Sequence, residues 1–291
     1  MYPSRFRYEA PSTIEEAVAL LEAGAGEAKV LAGGQSLIPL LKLRFADPQT
    51  IVDINNIDDL DYLIFGDDGS IRIGALVRHA DLTRSGELAA KQPVIAAAAP
   101  LVADPIVRNR GTLVGSLCHA DPQGDWAAVM VALGGSLVAQ GPSGKRTIPV
   151  NDLVHGPFQN ALAHNELGIE ALVPAPAGSP RGGYLKLERR VGDFATVAVA
   201  VTVDMDGANV ARAGIGLAAV GPKTIAADAA AESLVGGPLT EERIDNAAEL
   251  AAGSANPRSD HRGSADYKRH IVSTFVSRIL RKVASSMERA A

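Results

Sequence analysis

Lys29-Val30-Leu31-Ala32-Gly33-Gly34-Gln35-Ser36, running on into Leu37-Ile38-Pro39-Leu40-Leu41-Lys42-Leu43, is the stretch on which the fold turns. A short apolar run meets two glycines and then an apolar pattern at helical spacing, with the proline tolerated in the first turn. The segment therefore reads strand, turn, helix. Gly33 and Gly34 permit positive φ and close approach of another backbone, while the start of a helix leaves N–H groups without intrahelical partners. Two readings fit the segment alone: a cradle for an anion, or a turn in which Gly-Gly serves sterics only.

Outward from this stretch the pattern repeats. A strand around Phe6 and Tyr8 precedes a helix in which Ser12 and Thr13 each have a glutamate three residues on (Glu15, Glu16) and Ile14, Ala17, Val18 and Leu21 share a face. Gly24 and Gly26 end that helix, and Ile51, Val52 and Ile54 give a further strand, so the opening region reads β-α-β-α-β. Strand and turn signals follow at 70–74, 136–139 and 147–150, around an alanine-rich helical stretch near 94–102, with hairpin signals at Asp68-Gly69 and at 141–144. Residues 174–180 (PAPAGSP) form a linker. Beyond it, 183–188, 196–204 and 210–219 read as three antiparallel strands, Asp206-Gly207 closing one hairpin, and the remainder is helical. In the last helix Val272, Phe275, Val276, Ile279, Leu280 and Val283 mark a stripe facing the protein's own core.

At 291 residues the chain is long for one compact core, so two or three subdomains are expected. The net charge of −5 gives no basic surplus for nucleic acid. No apolar run reaches the length of a membrane span, and MYPSRFRYEA contains no apolar signal core, so a cytoplasmic protein is expected. Cys118 is the single cysteine, which excludes an internal disulfide and a thiolate cluster.

A second glycine-containing segment, residues 108–125 (RNRGTLVGSLCHADPQGD), spaces Gly111, Thr112, Gly115 and Ser116 as no amphipathic helix or alternating strand requires. It reads as a backbone-lined surface against a ligand or as an irregular loop. Other candidates fail. In GIGLAAVG (214–221) the last glycine comes two positions late for a dinucleotide fingerprint and no β-α-β unit surrounds it, so a strand edge is expected. Cys118 and His119, taken as strand neighbours, would point to opposite faces. Asp121 and Asp125 are no metal site by spacing alone, and Ser116 lacks the G-x-S-x-G elbow of a hydrolase. His155, His164, His261 and His270 have no partners at ligand spacing.

Together, AGGQSLIPLLKLR (32–44), GTLVGSLCHADPQGD (111–125), YLKLERRVGDFATVAVAV (184–201) and SDHRGSADYKRH (259–270) resemble the FAD-binding medium subunits of the molybdenum hydroxylases, in particular those of the aerobic carbon monoxide dehydrogenase type. The resemblance covers nearly the whole chain. It implies an α+β architecture with a PCMH-type FAD-binding fold: an N-terminal α/β FAD-binding subdomain over 1–56, a middle α+β FAD-binding subdomain over 57–176, and a C-terminal domain of a three-stranded antiparallel sheet plus helices over 177–291. It implies cofactor contacts from Ala32, Gly33, Gly34, Gln35 and Ser36 on one wall and Thr112, Leu113, Val114, Gly115 and Ser116 on the other, with Asp125 and Lys186 beside the flavin. Catalytic and metal-ligating residues are not expected on this chain.

The resemblance further implies a small subunit with 2Fe-2S clusters and a large molybdopterin subunit, assembled as a dimer of heterotrimers, with this chain passing electrons to an external acceptor. One cysteine agrees, because each cluster needs four protein ligands. The sequence departs from the family where Val114 replaces a glycine. If that position required positive φ, valine would be strained. If it required an extended backbone, valine would crowd the ligand. This departure motivates the alternative of a flavin-free assembly subunit. Phe194 stands where some relatives carry tyrosine.

Overall fold

The computed structural model describes residues 2–289. Its first sheet is parallel and three-stranded, with Thr50–Asp53 between Arg7–Glu9 and Ala28–Leu31. The helix Ile14–Ala23 covers it and buries Ala17, Val18 and Leu21. Thr13 caps this helix by accepting from the Glu16 amide, and the Glu16 carboxylate accepts in return from the Ser12 amide, so two end donors are satisfied reciprocally. Gly24 ends it, and Ala25 and Gly26 turn the chain at positive φ.

The second sheet is antiparallel, in the order Leu63–Phe65, Ile71–Gly74, Leu167–Val173, Ser136–Gly141, Gly144–Pro149. Both expected hairpins form, at Gly69 and at 141–144. The central strand Leu167–Val173 carries no alternation, because it is buried along almost its whole length. Six short α-helices lie between Ile71–Gly74 and Ser136–Gly141, among them Leu113–His119 and Asp125–Leu133. Residues 108–125 are therefore not the irregular loop that their glycines suggest. Thr112 caps a helix by accepting from the Gly115 amide, and Gly115 then occupies its first turn. Cys118 and His119 lie on this helix and not on a strand.

The third sheet is antiparallel, ordered Ser179–Leu187, Val197–Asp206, Asn209–Ala218, Ile225–Ala226. The two-residue Ile225–Ala226 makes it four-stranded where three strands were expected. Val197–Asp206 is buried on both faces, and its sequence shows how. Val197, Val199, Val201 and Val203 pack against the helix Ala265–Glu288 in a core that the helix Glu241–Ser254 completes, while Ala198 and Ala200 face the opposite core. The predicted stripe from Val272 to Val283 on the last helix lies in the first of these cores.

Helix Asp125–Leu133 lies on the small-residue face. It is buried on nearly every side, and it approaches so closely that a Cβ on Gly214 or Gly216 would fall on the carbonyls of Ala132 and Ala128. Gly214 and Gly216 of GIGLAAVG thus serve helix-to-sheet contact from within strand Asn209–Ala218, which is not at the edge of its sheet, while Gly221 lies beyond the strand beside Ile225. At the C-terminal end of this helix Arg212 donates to the Leu133 carbonyl (3.0 Å) and pairs with buried Asp204 (2.7 Å), which accepts from the Ala177 amide (2.8 Å). The proline-rich 174–180 segment is tied down at Ala177.

Trp126, fully buried on the same helix, donates from Nε1 to Nδ1 of His79 (3.1 Å). Nδ1 as acceptor leaves the proton of the neutral ring on Nε2. Burial, reinforced by Arg108 and Arg78, lowers the His79 pKa from 6.5 to about 4. His79 stays neutral in the fold while the unfolded chain takes up a proton below its ordinary pKa, so its contribution is complete above 6.5 and is lost as pH falls toward 4.

Two outcomes follow. Between pH 7 and 5 the chain loses on the order of 2 kcal/mol of unfolding free energy through His79; in urea titrations this loss disappears in His79→Gln, and equal pH dependence in both proteins would refute the assignment. Gly216→Ala, which drives a methyl into helix backbone, destabilises by about 1–3 kcal/mol. Gly253→Ala, a helical position with open space around it, leaves thermal unfolding unchanged or raises its midpoint.

Candidate cofactor site

The two glycine segments meet. Gly33 is buried, and a Cβ there would fall on the carbonyl of Arg110 and on the Cα of Gly111. Gly34 has φ +75° and so turns the chain through the left-handed region into the helix Leu37–Leu43. The sequence offered two uses for this glycine pair, positive φ and close approach, and each glycine takes one. Gly111 has its own neighbour: a Cβ there would meet Nε2 of His79 at 2.8 Å. The His79 amide donates to the Gly111 carbonyl (2.9 Å), and Arg78 and Thr112 form an isolated antiparallel bridge.

Two helices thus begin within a few residues of one contact. Ser36 provides no side-chain cap for Leu37–Leu43, and Thr112 caps Leu113–His119 through Gly115 alone. Among the described residues the amides of Gly33, Gly34, Gln35 and Ser36, and those of Leu113 and Val114, donate to no protein group. Gln35 turns its own side chain back onto the Gly33 carbonyl (3.2 Å). Unpaired amides at paired helix starts, against glycines without side chains, fit the pyrophosphate of a dinucleotide.

Leu113 and Val114 are 0% and 1% exposed, with their side chains in the core. Val114 lies in a helix and has no positive φ. Neither expectation for it holds: the backbone is unstrained, and the side chain packs inward beside Gly168. Only its main chain faces the wall. Ser116 is half-buried near Gly124.

Asp125 and Lys186 come together, apart from the glycine walls. Tyr184 and Lys186 project from the same face of strand Ser179–Leu187, and both reach the buried Asp125 carboxylate, Tyr184 through its hydroxyl and Lys186 at 3.3 Å. Lys186 also donates to the Leu101 carbonyl (3.1 Å) and lies 3.4 Å from Glu188. Burial raises the Asp125 pKa against the opposing pull of Lys186 and Tyr184, while burial and Asp125 push the Tyr184 phenol well above its ordinary value. No hydrogen bond joins this cluster to residues 32–36 or 112–116 among the described residues; the connection runs from Asp125 through its neighbour Trp126 to His79 and Gly111. Phe194 is half-exposed on the loop 188–196, whose carbonyls at Phe194 and Ala195 accept from Arg262 (3.1 and 3.2 Å).

Asn55, Arg78, His79 and Trp126 support the site without any motif to announce them. Asn55 follows a strand at a turn, and Arg78 and His79 follow a strand at a helix start, which are ordinary places for such residues. No group of three or more His, Cys, Asp or Glu is arranged to hold a metal among the described residues, and no described helix is long and apolar enough to cross a membrane.

Residues 4–176 match the family described as the FAD binding domain in molybdopterin dehydrogenase, and residues 183–283 match the CO dehydrogenase flavoprotein C-terminal domain. The carbon monoxide dehydrogenase medium chain of Hydrogenophaga pseudoflava is 40% identical over 281 residues, covering 96% of this chain and 97% of that one. The glyceraldehyde dehydrogenase medium chain of Sulfolobus acidocaldarius is 34% identical, covering 98% and 100%. A solved structure of carbon monoxide dehydrogenase from Hydrogenophaga pseudoflava, in a form lacking the Mo-pyranopterin moiety of its cofactor, superposes with a TM-score of 0.93 at 40% identity, covering 99% of each chain. With both of its parts matched over nearly its whole length, this chain belongs to the family of FAD-binding medium subunits of the molybdenum hydroxylases.

Proposed function

We propose that Ala32, Gly33, Gly34, Gln35 and Ser36 and the facing Thr112, Leu113, Val114, Gly115 and Ser116 hold the FAD pyrophosphate, and that the chain passes electrons from 2Fe-2S clusters on a small partner subunit to an external acceptor. The observation that carries the reading is the convergence of unpaired amides at the contact between Gly33 and Gly111. Leu113 and Val114 contribute amide donors, since their side chains lie in the core. Gly115 stands in the first turn, where a Cβ would meet only the Thr112 hydroxyl, so the ligand side stays open to close approach. Asp125 and Lys186 supply a fixed, buried charge pair on the flavin side. The segments 1–56 and 57–176 form the two halves of the clasp, and 177–291 backs it through the helix Asp125–Leu133.

FAD, when bound, supplies a carrier that exchanges electrons singly with iron-sulfur centres and in pairs with an acceptor. This chain's share is binding and orientation, and no residue on it acts as acid, base or nucleophile. Substrate oxidation belongs to a large molybdopterin subunit, in a cytoplasmic dimer of heterotrimers. The helical backbone of Val114 and its inward side chain favour this reading over a flavin-free assembly role.

Gly34 tests the cradle, because its φ is one that Asn and Asp tolerate better than other side chains. Gly34→Asn should keep most of the flavin absorbance near 450 nm. Gly34→Asp, nearly isosteric but anionic, should raise the FAD dissociation constant at least tenfold over Gly34→Asn. Equal binding by the two variants would place the pyrophosphate elsewhere. In the assembled complex the 450 nm band should bleach on adding the oxidisable substrate, and it should persist when the isolated chain meets the same substrate; bleaching of the isolated chain would contradict the proposed electron path.

A further inference from the structure

Between the two glycine walls there is contact without a backbone hydrogen bond: no amide of 32–36 pairs with a carbonyl of 108–116, nor the reverse, among the described residues. Yet Gly33 lies against the Arg110 carbonyl closely enough to exclude a Cβ. A chain of side chains bridges the gap. The Asn55 amide nitrogen donates to the Ala32 carbonyl (2.9 Å), the Asn55 oxygen accepts from one Arg78 nitrogen (2.7 Å), and the other Arg78 nitrogen donates to the Arg110 carbonyl (2.8 Å). From the structure we infer that Arg78 and Asn55 are positioning residues for FAD, fixing the separation of the glycine walls and the direction of the Ala32–Gly33 peptide without touching the cofactor. The inference rests on the proposed placement of FAD between those walls.

The physical argument has three parts. A trans peptide holds its C=O and N–H on opposite sides, so anchoring the Ala32 carbonyl to Asn55 turns the Gly33 amide the other way, where no protein group accepts from it. Asn55 cannot rotate to release the carbonyl, because it is fixed from both ends: its backbone amide donates to Asp53, whose other oxygen accepts from the Tyr8 hydroxyl (2.7 Å). The guanidinium, finally, is the only side chain that bridges two acceptors in this way with a rigid planar fork. Arg78 is half-buried and held at its backbone by the Asp81 carboxylate (3.2 Å), so the fork is preorganised. A lysine at this position would keep the charge but would not span both oxygens.

The test is a titration of the full-length apoprotein with FAD, followed by flavin fluorescence at 10 °C, alongside thermal unfolding of each apoprotein. Arg78→Lys and Arg78→Met should each raise the FAD dissociation constant about thirtyfold, Asn55→Ala should do so by a comparable factor, and Asn55→Ala combined with Arg78→Met should lose little more than either alone, because both break one bridge. Each apoprotein should remain folded at that temperature, which its unfolding curve verifies. If Arg78→Lys binds FAD like the wild type, charge and not bridging is what matters and the inference fails. Multiplying losses in the double variant would equally overturn it, because independent destabilisation then explains both. If the wild-type apoprotein itself takes up no FAD, the failure lies with the cofactor assignment and not with the bridge. Asn55→Ala, which keeps every charge, serves as the reading should the Arg78 variants not fold.

Discussion

The contact of Gly33 with the peptide of Arg110 and Gly111 is the constraint around which the molecule is arranged. It joins a loop of the parallel sheet to a loop of the antiparallel one, backbone against backbone, and only glycine permits it from the Gly33 side. Neither segment is a binding site alone. Each begins a seven-residue helix, too short to be stable by itself. Their first turns leave amides free only because neighbouring structure holds the helices in place. The core reflects this, since Ala17, Val52 and Ile54 of the first unit and Leu113, Val114 and Leu117 of the second lie in one buried cluster.

The same device recurs at the far side of the middle unit. Gly214 and Gly216 let the helix Asp125–Leu133 come into backbone contact with the C-terminal sheet, and Trp126 on that helix bonds His79, which lies under Gly111. The two glycine contacts therefore mark the ends of one rigid path: strand Asn209–Ala218, helix Asp125–Leu133, the indole-imidazole bond, and the wall at Gly111. Each step is either packing without space for a methyl or a buried hydrogen bond, and neither yields without a free-energy cost. The C-terminal sheet thereby packs behind the wall at Gly111.

Much of this was legible in the sequence, and the misreadings have physical reasons. Thr13 with Glu16, the Asp68-Gly69 and Gly141–Gly144 hairpins, and the apolar stripe of the last helix are local signals, and local interactions realise them. Gly111 lies outside a helix, as its spacing suggested, but Gly115 misled because that spacing was read without tertiary context. Gly115 is in a helix because Thr112 caps it and because Leu113, Val114 and Leu117 bury one face. The alternation of Val and Ala from Val197 to Ala200 records two covered faces of different depth, which becomes readable only once the helix on the alanine side is known. Arg78, His79 and Asn55 could not be found by pattern at all. Their partners lie 23 to 47 residues away, and nothing in the local sequence of an arginine says which carbonyl it will meet.

That last point extends to other cations of the chain. Arg78 donates to the carbonyl of Arg110; Arg108 donates to those of Val102 and Ala103; Lys186 donates to that of Leu101; Arg262 donates to those of Phe194 and Ala195. In each case a cation from one segment grips main-chain oxygens in a loop of the same or another segment. Arg108 of RNRGT and Lys186 of YLKLE hold three consecutive carbonyls, from Leu101 to Ala103, between them. Because a trans peptide fixes its N–H opposite its C=O, a cation that holds a carbonyl also aims the following amide. A surface intended to receive an anion through its backbone needs amides with set directions and does not need cations in contact with the ligand. This chain, with a net charge of −5, places several cations behind its loops, where they act on carbonyls, and among the described residues leaves the amides of the glycine walls without protein acceptors.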